Sequence, residues 1–98
     1  MNSLDQLIGE VQGYISLVTN GLNDDHLYTN YQRVTSFALR LTEIRNQIAE
    51  LEIKGEADTS LKKFRTMILD PTIERFDKIA TYESRKITAR KIELDLER

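Results

Sequence analysis

The fold is decided by residues 27–51, LYTNYQRVTSFALRLTEIRNQIAEL, in which apolar side chains recur with a seven-residue period. The first set is Leu27, Val34, Leu41 and Ile48, and a second set, Phe37, Ile44 and Leu51, follows the last three of these by three positions. This spacing places both sets on one face of an α-helix, as at the a and d positions of a heptad seam. We therefore expect a long helix whose apolar face is covered by other helices, from the same chain or from a partner.

The composition around this stretch favours an all-α protein. The chain has 98 residues, of which 31% are charged and 40% hydrophobic, with one Pro, four Gly and no Cys. Straight-chain residues lose little rotamer freedom in a helix, and this length suits one domain with one modest core. The lack of Cys excludes disulfides and thiolate metal sites and fits a reducing compartment. We expect a single helical-bundle domain over residues 1–98.

Helix start and stop signals predict an antiparallel helical bundle or hairpin. The two short helices are expected over about residues 3–19 and 60–69, and the two long helices over about residues 24–54 and 71–94. Predicted start signals are a capping box of Ser3 with Gln6, an N-cap among Asn23, Asp24 and Asp25 with an acidic first turn, and Thr59 or Ser60. Gly55 is the predicted stop of the first long helix.

Pro71 divides the predicted short third helix from the long fourth one. Proline fits the first turn of a new helix with Asp70 as its cap, and it also kinks a helix that runs through, because it lacks an N–H. We expect a new start or a sharp kink here. Beyond it, Glu83 and Arg90 interrupt the apolar seam of the last helix.

Charge is distributed unevenly along the chain. The net charge is −5 over residues 1–59, +5 over residues 60–92 and −2 over residues 93–98. This layout suits an antiparallel arrangement of an acidic first half beside a basic second half. The first residues carry acids where a signal peptide carries positive charge, and no apolar run approaches the ~20 residues of a membrane span. We expect a cytoplasmic protein without membrane insertion.

No group of residues indicates catalysis or a cofactor. His26 is the single histidine, and Asp24 and Asp25 beside it suggest a weak divalent-ion site, but a solvated helix start is the simpler interpretation. The opening SLDQLIGEVQGYI faintly resembles the first helix of chorismate mutases, yet Gly9 and Gln12 stand where that family has an arginine. Nucleic-acid binding is disfavoured because acids interrupt the basic stretch. We expect a non-enzyme with no cofactor, no metal and no nucleic-acid partner.

Aromatic residues mark the expected partner-binding surface. Tyrosine suits interfaces because it combines a large apolar body with a polar hydroxyl, and methionine adapts to varied partners. The candidate partner-binding residues are Tyr28, Tyr31, Phe64, Met67 and Phe76. Ordinary positions at the edge of the core are the competing interpretation.

The order of short and long segments resembles the flagellar type III export chaperones that escort the filament-cap protein. The closest stretch is SLKKFRTMILD (residues 60–70) followed by PTIERFDKIATYESRKI (residues 71–87). The resemblance implies a cytoplasmic, non-catalytic helical protein whose apolar groove covers the C-terminal segment of an export substrate. The alternative expectation is a homo-oligomeric coiled-coil protein of structural or regulatory type, such as a phage or bacterial assembly factor or inhibitor. Its partner is a second copy of the chain.

Overall fold

The computed structural model describes residues 4–22 and 26–96, and all regular secondary structure in those ranges is helical. The elements are α1 (Leu4–Gly21), α2 (Leu27–Ile53), α3 (Thr59–Phe64), a π-helical turn (Arg65–Leu69) and α4 (Asp70–Leu96). The predicted all-α fold is confirmed. α1 ends two residues later than expected, and the predicted capping residue Ser3 lies outside the described residues.

The start of α2 differs from the prediction. The helix begins at Leu27, and His26 occupies the N-cap position without a capping side-chain hydrogen bond. The first backbone bond runs from the Asn30 N–H to the His26 carbonyl over 2.9 Å. The first turn of α2 therefore contains no acidic residue, because the helix starts after the predicted caps Asn23, Asp24 and Asp25, which lie outside the described residues.

The end of α2 confirms the predicted stop at Gly55. Gly55 has a φ of +72°, a left-handed conformation that glycine adopts without a steric penalty. The Glu56 N–H donates to the Leu51 carbonyl and the Gly55 N–H to the Glu52 carbonyl, at 2.8 and 3.1 Å. These two bonds form a Schellman motif, which satisfies carbonyls that the helix end leaves free.

The cap of α3 is Asp58 rather than the predicted Thr59 or Ser60. An extended backbone at Asp58 lets its Oδ1 accept a hydrogen bond from the Leu61 N–H at 2.9 Å. The carboxylate thus satisfies a backbone donor of the first turn and also complements the positive end of the helix dipole.

The chain does not start a new helix at Pro71. Helical backbone continues from Thr59 to Leu96, and the turn just before Pro71 is π-helical, with the Asp70 N–H bonded to the Arg65 carbonyl. A proline crowds the carbonyl four residues earlier, here that of Met67, and a widened turn relieves this crowding. The predicted third and fourth helices are therefore one continuous helical segment with a π-turn in place of a break.

The helices pack antiparallel. Glu10 and Tyr14 of α1 contact Arg40 and Phe37 of α2, so the residue numbers run in opposite directions along the two helices. α4 likewise runs against α2, since Phe37 lies near Phe76 while Tyr28 lies near Lys91. The ring centroids of Tyr14 and Phe37 are 4.3 Å apart, and those of Phe37 and Phe76 are 6.5 Å apart. This row of three rings joins α1, α2 and α4.

The heptad seam of α2 forms the centre of the core, as predicted. Its buried members are Leu27, Val34, Leu41, Ile44 and Ile48. All of these except Leu27 form one cluster with Leu7, Val11 and Val18 of α1 and with Phe64, Leu69, Ile73 and Phe76. The described part of the chain measures 60 × 24 × 18 Å, with a radius of gyration of 16.6 Å. A globular domain of this length has a radius of about 13 Å, so the bundle is a rod.

The two interruptions of the α4 seam have different environments. Arg90 is exposed, whereas Glu83 is only 2% exposed and lies within the buried face of α4. Its Oε1 accepts a hydrogen bond from Lys86 Nζ at 3.4 Å, and no residue that the structure describes bonds to Oε2. Glu83 is thus a buried carboxylate with incomplete hydrogen bonding.

Candidate protein-binding surface

The last turns of α4 extend beyond the start of α2. Tyr28, one residue into α2, lies beside Lys91, so the residues of α4 further along have no α2 residue opposite them. All nine residues from 88 to 96 are exposed. At 1.5 Å per residue this exposed segment, here called the projecting turns, is about 14 Å long, and its part after Lys91 extends past the start of α2.

A cleft opens where the projecting turns leave α2. This end cleft has a volume of about 440 Å³ and is lined by His26, Leu27, Tyr28, Thr29, Ile87, Arg90, Lys91 and Leu94. Ile87 and Leu94 are seven residues apart, so they lie on the same face of α4 and point into the cleft together. Leu27 of α2 completes the apolar floor, and Leu94 keeps 54% of its surface exposed.

The rim of the end cleft carries positive charge. Lys91 Nζ lies 5.8 Å from the centroid of the Tyr28 ring, within the range of a cation–π contact. Neither Arg90 nor Lys91 forms an ion pair with any residue in the ranges 4–22 and 26–96. The described lining includes no carboxylate, although Glu93 lines a neighbouring hollow with Leu27 and Arg90. The cleft therefore combines an apolar floor with two cations free to pair with a ligand.

A second apolar face occurs on the projecting turns. Ala89, Ile92 and Leu96 are spaced by three and four residues, so they share a face that is turned away from Leu94. All three are exposed, and Leu96 keeps 81% of its surface in solvent. The projecting turns are consequently apolar on two sides.

The five predicted partner-binding residues do not form one surface. Phe64 and Phe76 are core residues with 3% and no exposure, so the prediction that they line a groove is wrong. Met67 is exposed on the π-turn, whereas Tyr28 and Tyr31 lie near the start of α2. Along the α4 axis, Met67 and the Lys91 that faces Tyr28 are about 36 Å apart. Among the five, Tyr28 alone lines the end cleft, and Tyr31 lines a shallower hollow with Ala80 and Ser84.

Sequence reasoning missed Ile87, Arg90, Lys91 and Leu94 as members of one surface. From the sequence, Arg90 is only an interruption of the apolar seam of the last helix. The signal that identifies these residues is a difference in helix length. Helical structure from residue 59 to residue 96 exceeds the length of α2, so one end of it extends past its neighbour.

A polar cluster joins α1 to α2. Glu10 accepts hydrogen bonds at Oε2 from Arg40 Nε at 2.8 Å and from the Tyr14 hydroxyl at 2.6 Å. The bond to Arg40, aided by the one to Tyr14, lowers the pKa of Glu10 below its usual value, although burial opposes this shift. Burial and the bond to Glu10 raise the pKa of Tyr14. The three groups satisfy one another, which makes the cluster a structural contact.

A second cluster fixes the π-turn to the end of α2. Arg65 donates to both carboxylate oxygens of Glu52, at 2.9 and 3.2 Å, and to Asp70 Oδ2 at 3.1 Å. Paired hydrogen bonds between guanidinium and carboxylate fix orientation as well as distance. They raise the pKa of Arg65 above its usual value, with the bond to Glu52 as the largest cause. Asp70 Oδ1 is buried and accepts no hydrogen bond from the described residues.

A metal site and a membrane span are two further possibilities for the described residues. His26, the predicted candidate ligand, is exposed, and its proposed companions Asp24 and Asp25 lie outside the described residues. In the described ranges no three His, Asp or Glu side chains are grouped so that they would hold a metal ion. None of the described helices is both long enough and apolar enough to cross a bilayer.

Comparisons with protein-family models, with curated proteins and with solved structures found no match to this chain.

Proposed function

We propose that the protein is a small non-enzymatic chaperone or adaptor that acts in the cytoplasm and covers an amphipathic segment of a partner protein. The observation that carries the proposal is the end cleft, in which Ile87 and Leu94 form an apolar floor that no described helix covers. An amphipathic helix placed in such a groove buries its own apolar face there.

The apolar floor is small enough to stay exposed in a folded monomer. Leu94 is about half exposed, and the buried core lies elsewhere along α2. The free energy gained by covering such surface, about 25 cal/mol per Å², is therefore available to binding instead of folding. The resemblance to flagellar export chaperones supports a client that is an export substrate.

The alternative proposal is a homo-oligomeric coiled coil of structural or regulatory type. Ala89, Ile92 and Leu96 favour it, because these exposed residues have the a and d spacing of a heptad. A symmetric dimer would cover this face with the same face of a second copy.

Light scattering coupled to size-exclusion chromatography, with Nile red added to each fraction, tests the two proposals. Nile red is uncharged, so its fluorescence reports apolar surface independently of the basic rim. We expect a monomer across the dilution series that binds the dye, and Leu94→Asp should reduce the dye signal. Leu39→Asp is the matched control, because Leu39 is also exposed but belongs to the middle of α2.

A compact dimer that binds no dye at any concentration would contradict the chaperone proposal and favour the coiled coil. A monomer whose dye signal survives Leu94→Asp would also contradict it, since the apolar surface would then lie outside the end cleft.

A further inference from the structure

We infer that the segment bound in the end cleft is an amphipathic helix with acidic residues beside its apolar face. This inference rests on the proposed function and adds the chemistry of the partner. It follows from the charges at the rim, whereas the proposed function follows from the apolar floor.

The first step is the pairing of the rim cations. Arg90 and Lys91 are consecutive residues of α4. Viewed along the helix axis, one lies on each side of Leu94. Neither has an ion-pair partner within the described ranges. Carboxylates flanking an apolar ridge would meet one cation on each side, and charge-assisted hydrogen bonds form best where the ligand also excludes water.

The second step separates this partner from a second copy of the chain. A two-fold symmetric contact through the end cleft would bring Arg90 and Lys91 of both copies into the same interface. Like charges placed opposite each other across an interface repel and suppress such pairing. The cleft therefore favours a partner of opposite charge over self-association.

The third step concerns size. A cleft of about 440 Å³ holds a few side chains, not a whole helix. A helix crossing the projecting turns would insert apolar anchors spaced by three or four residues and keep its remaining surface in water. Such a site suits a modest, reversible affinity, as expected for a carrier that must release its client.

Labelled helical peptides of about 20 residues test the inference, because shorter helices are marginal in water. The two peptides share one leucine stripe at i, i+3, i+4 and i+7 and differ only in carrying Glu or Lys on its flanks. Fluorescence anisotropy with the full chain should show at least about tenfold tighter binding of the acidic peptide. The double variant Arg90→Glu with Lys91→Glu should reverse that preference.

Lys62→Glu with Lys63→Glu is the matched control, because it makes the same change in net charge on exposed residues of α3. The preference for the acidic peptide should remain in this variant. An equal loss of preference in both double variants would overturn the inference, since net charge alone would then explain the binding. Asp24→Asn with Asp25→Asn should keep or strengthen the preference, and its loss there would also overturn the inference.

Two results separate failure of the inference from failure of the proposed function. If both peptides bind equally and Leu94→Asp abolishes both, the apolar groove stands and the acidic partner is overturned. If neither peptide binds, or if the chain covers the cleft by dimerising, both proposals are overturned.

Discussion

The middle of the bundle and its end place similar apolar residues in opposite environments. In the middle, Val34, Leu41 and Phe76 have no exposed surface, because neighbouring helices surround them. At the end, Leu94 lies on the same face of α4 as the buried Ile73 and Phe76, yet about half of the Leu94 surface is exposed. The relative lengths of the helices, rather than the hydrophobicity of their residues, therefore decide which apolar side chains stabilise the fold and which stay available to a partner.

Replacing a residue in the middle of the seam should have the largest effect. Leu41→Asp places a charge in a fully buried position without a partner, which we expect to cost at least about 4 kcal/mol and to abolish cooperative unfolding. Circular dichroism with urea titration measures this. Leu39→Asp, two residues away on the exposed face, should change the free energy of unfolding by less than about 0.5 kcal/mol. Similar effects of the two variants would refute the division into a covered and an open face.

Replacing the buried carboxylate of Glu83 by an apolar side chain should stabilise the fold. Glu83→Met keeps the length of the side chain and removes a poorly hydrogen-bonded charge from the α4 seam. Lys86 keeps 26% of its side chain exposed, so its ammonium can turn to water. We expect the free energy of unfolding to rise by about 1 kcal/mol.

Glu74→Met is the control for this variant, because Glu74 is exposed and pairs with Lys78 at the surface. Glu74→Met should change the free energy of unfolding by less than about 0.5 kcal/mol. A loss of stability in Glu83→Met would show that the carboxylate is better satisfied than its contacts indicate.

The contact between Glu10 and Arg40 should contribute about 1 kcal/mol to the free energy of unfolding. A double-mutant cycle of Glu10→Gln and Arg40→Gln measures this contribution. The hydrogen bond from Arg40 lowers the pKa of Glu10 in the folded state, so the folded protein binds this proton less readily than the unfolded chain. The contribution is therefore present above the usual pKa of 4.5 and is lost as the pH falls through the lowered value. A coupling that persists unchanged at the acidic end of the titration would contradict this.

The smallest effect on stability should come from the end cleft. Leu94→Asp should change the free energy of unfolding by less than about 0.5 kcal/mol, because water already reaches the side chain. The same variant should abolish binding of the acidic helical peptide. If Leu94→Asp destabilised the fold as Leu41→Asp is expected to do, the end cleft would belong to the core.

The sequence predicted the middle of the molecule better than its end. The seven-residue period of α2 identified Leu41 and Ile48 as core residues, and Gly55 was correctly predicted as the end of that helix, where the structure gives it a positive φ. These are local signals, in which each residue's environment depends on its own helix. Asp58 was missed as a cap because Thr59 and Ser60 beside it have equally suitable side chains.

The features that sequence reasoning missed depend on contacts between helices. Pro71 is compatible with a start, a kink or a π-turn, and the packing of residues 65–69 against α2 selects the π-turn. Phe64 and Met67 have similar hydrophobicity and are three residues apart, yet one is buried and the other exposed, because the π-turn changes the periodicity between them. The end cleft was missed for a related reason, since it needs the register between α2 and α4.

Amide hydrogen exchange, measured with and without the acidic helical peptide, shows whether the bundle has a covered middle and an open end that binds a partner. Without peptide we expect slow exchange in residues 34–48 and fast exchange in residues 88–96, because the former are surrounded by helices and the latter are not. With peptide, new protection should appear at residues 26–29 and 87–94 alone. Equally strong protection of residues 34–48 and 88–96 before the peptide is added would contradict the division into a covered middle and an open end. Protection that the peptide adds only in the middle of the bundle would also contradict it.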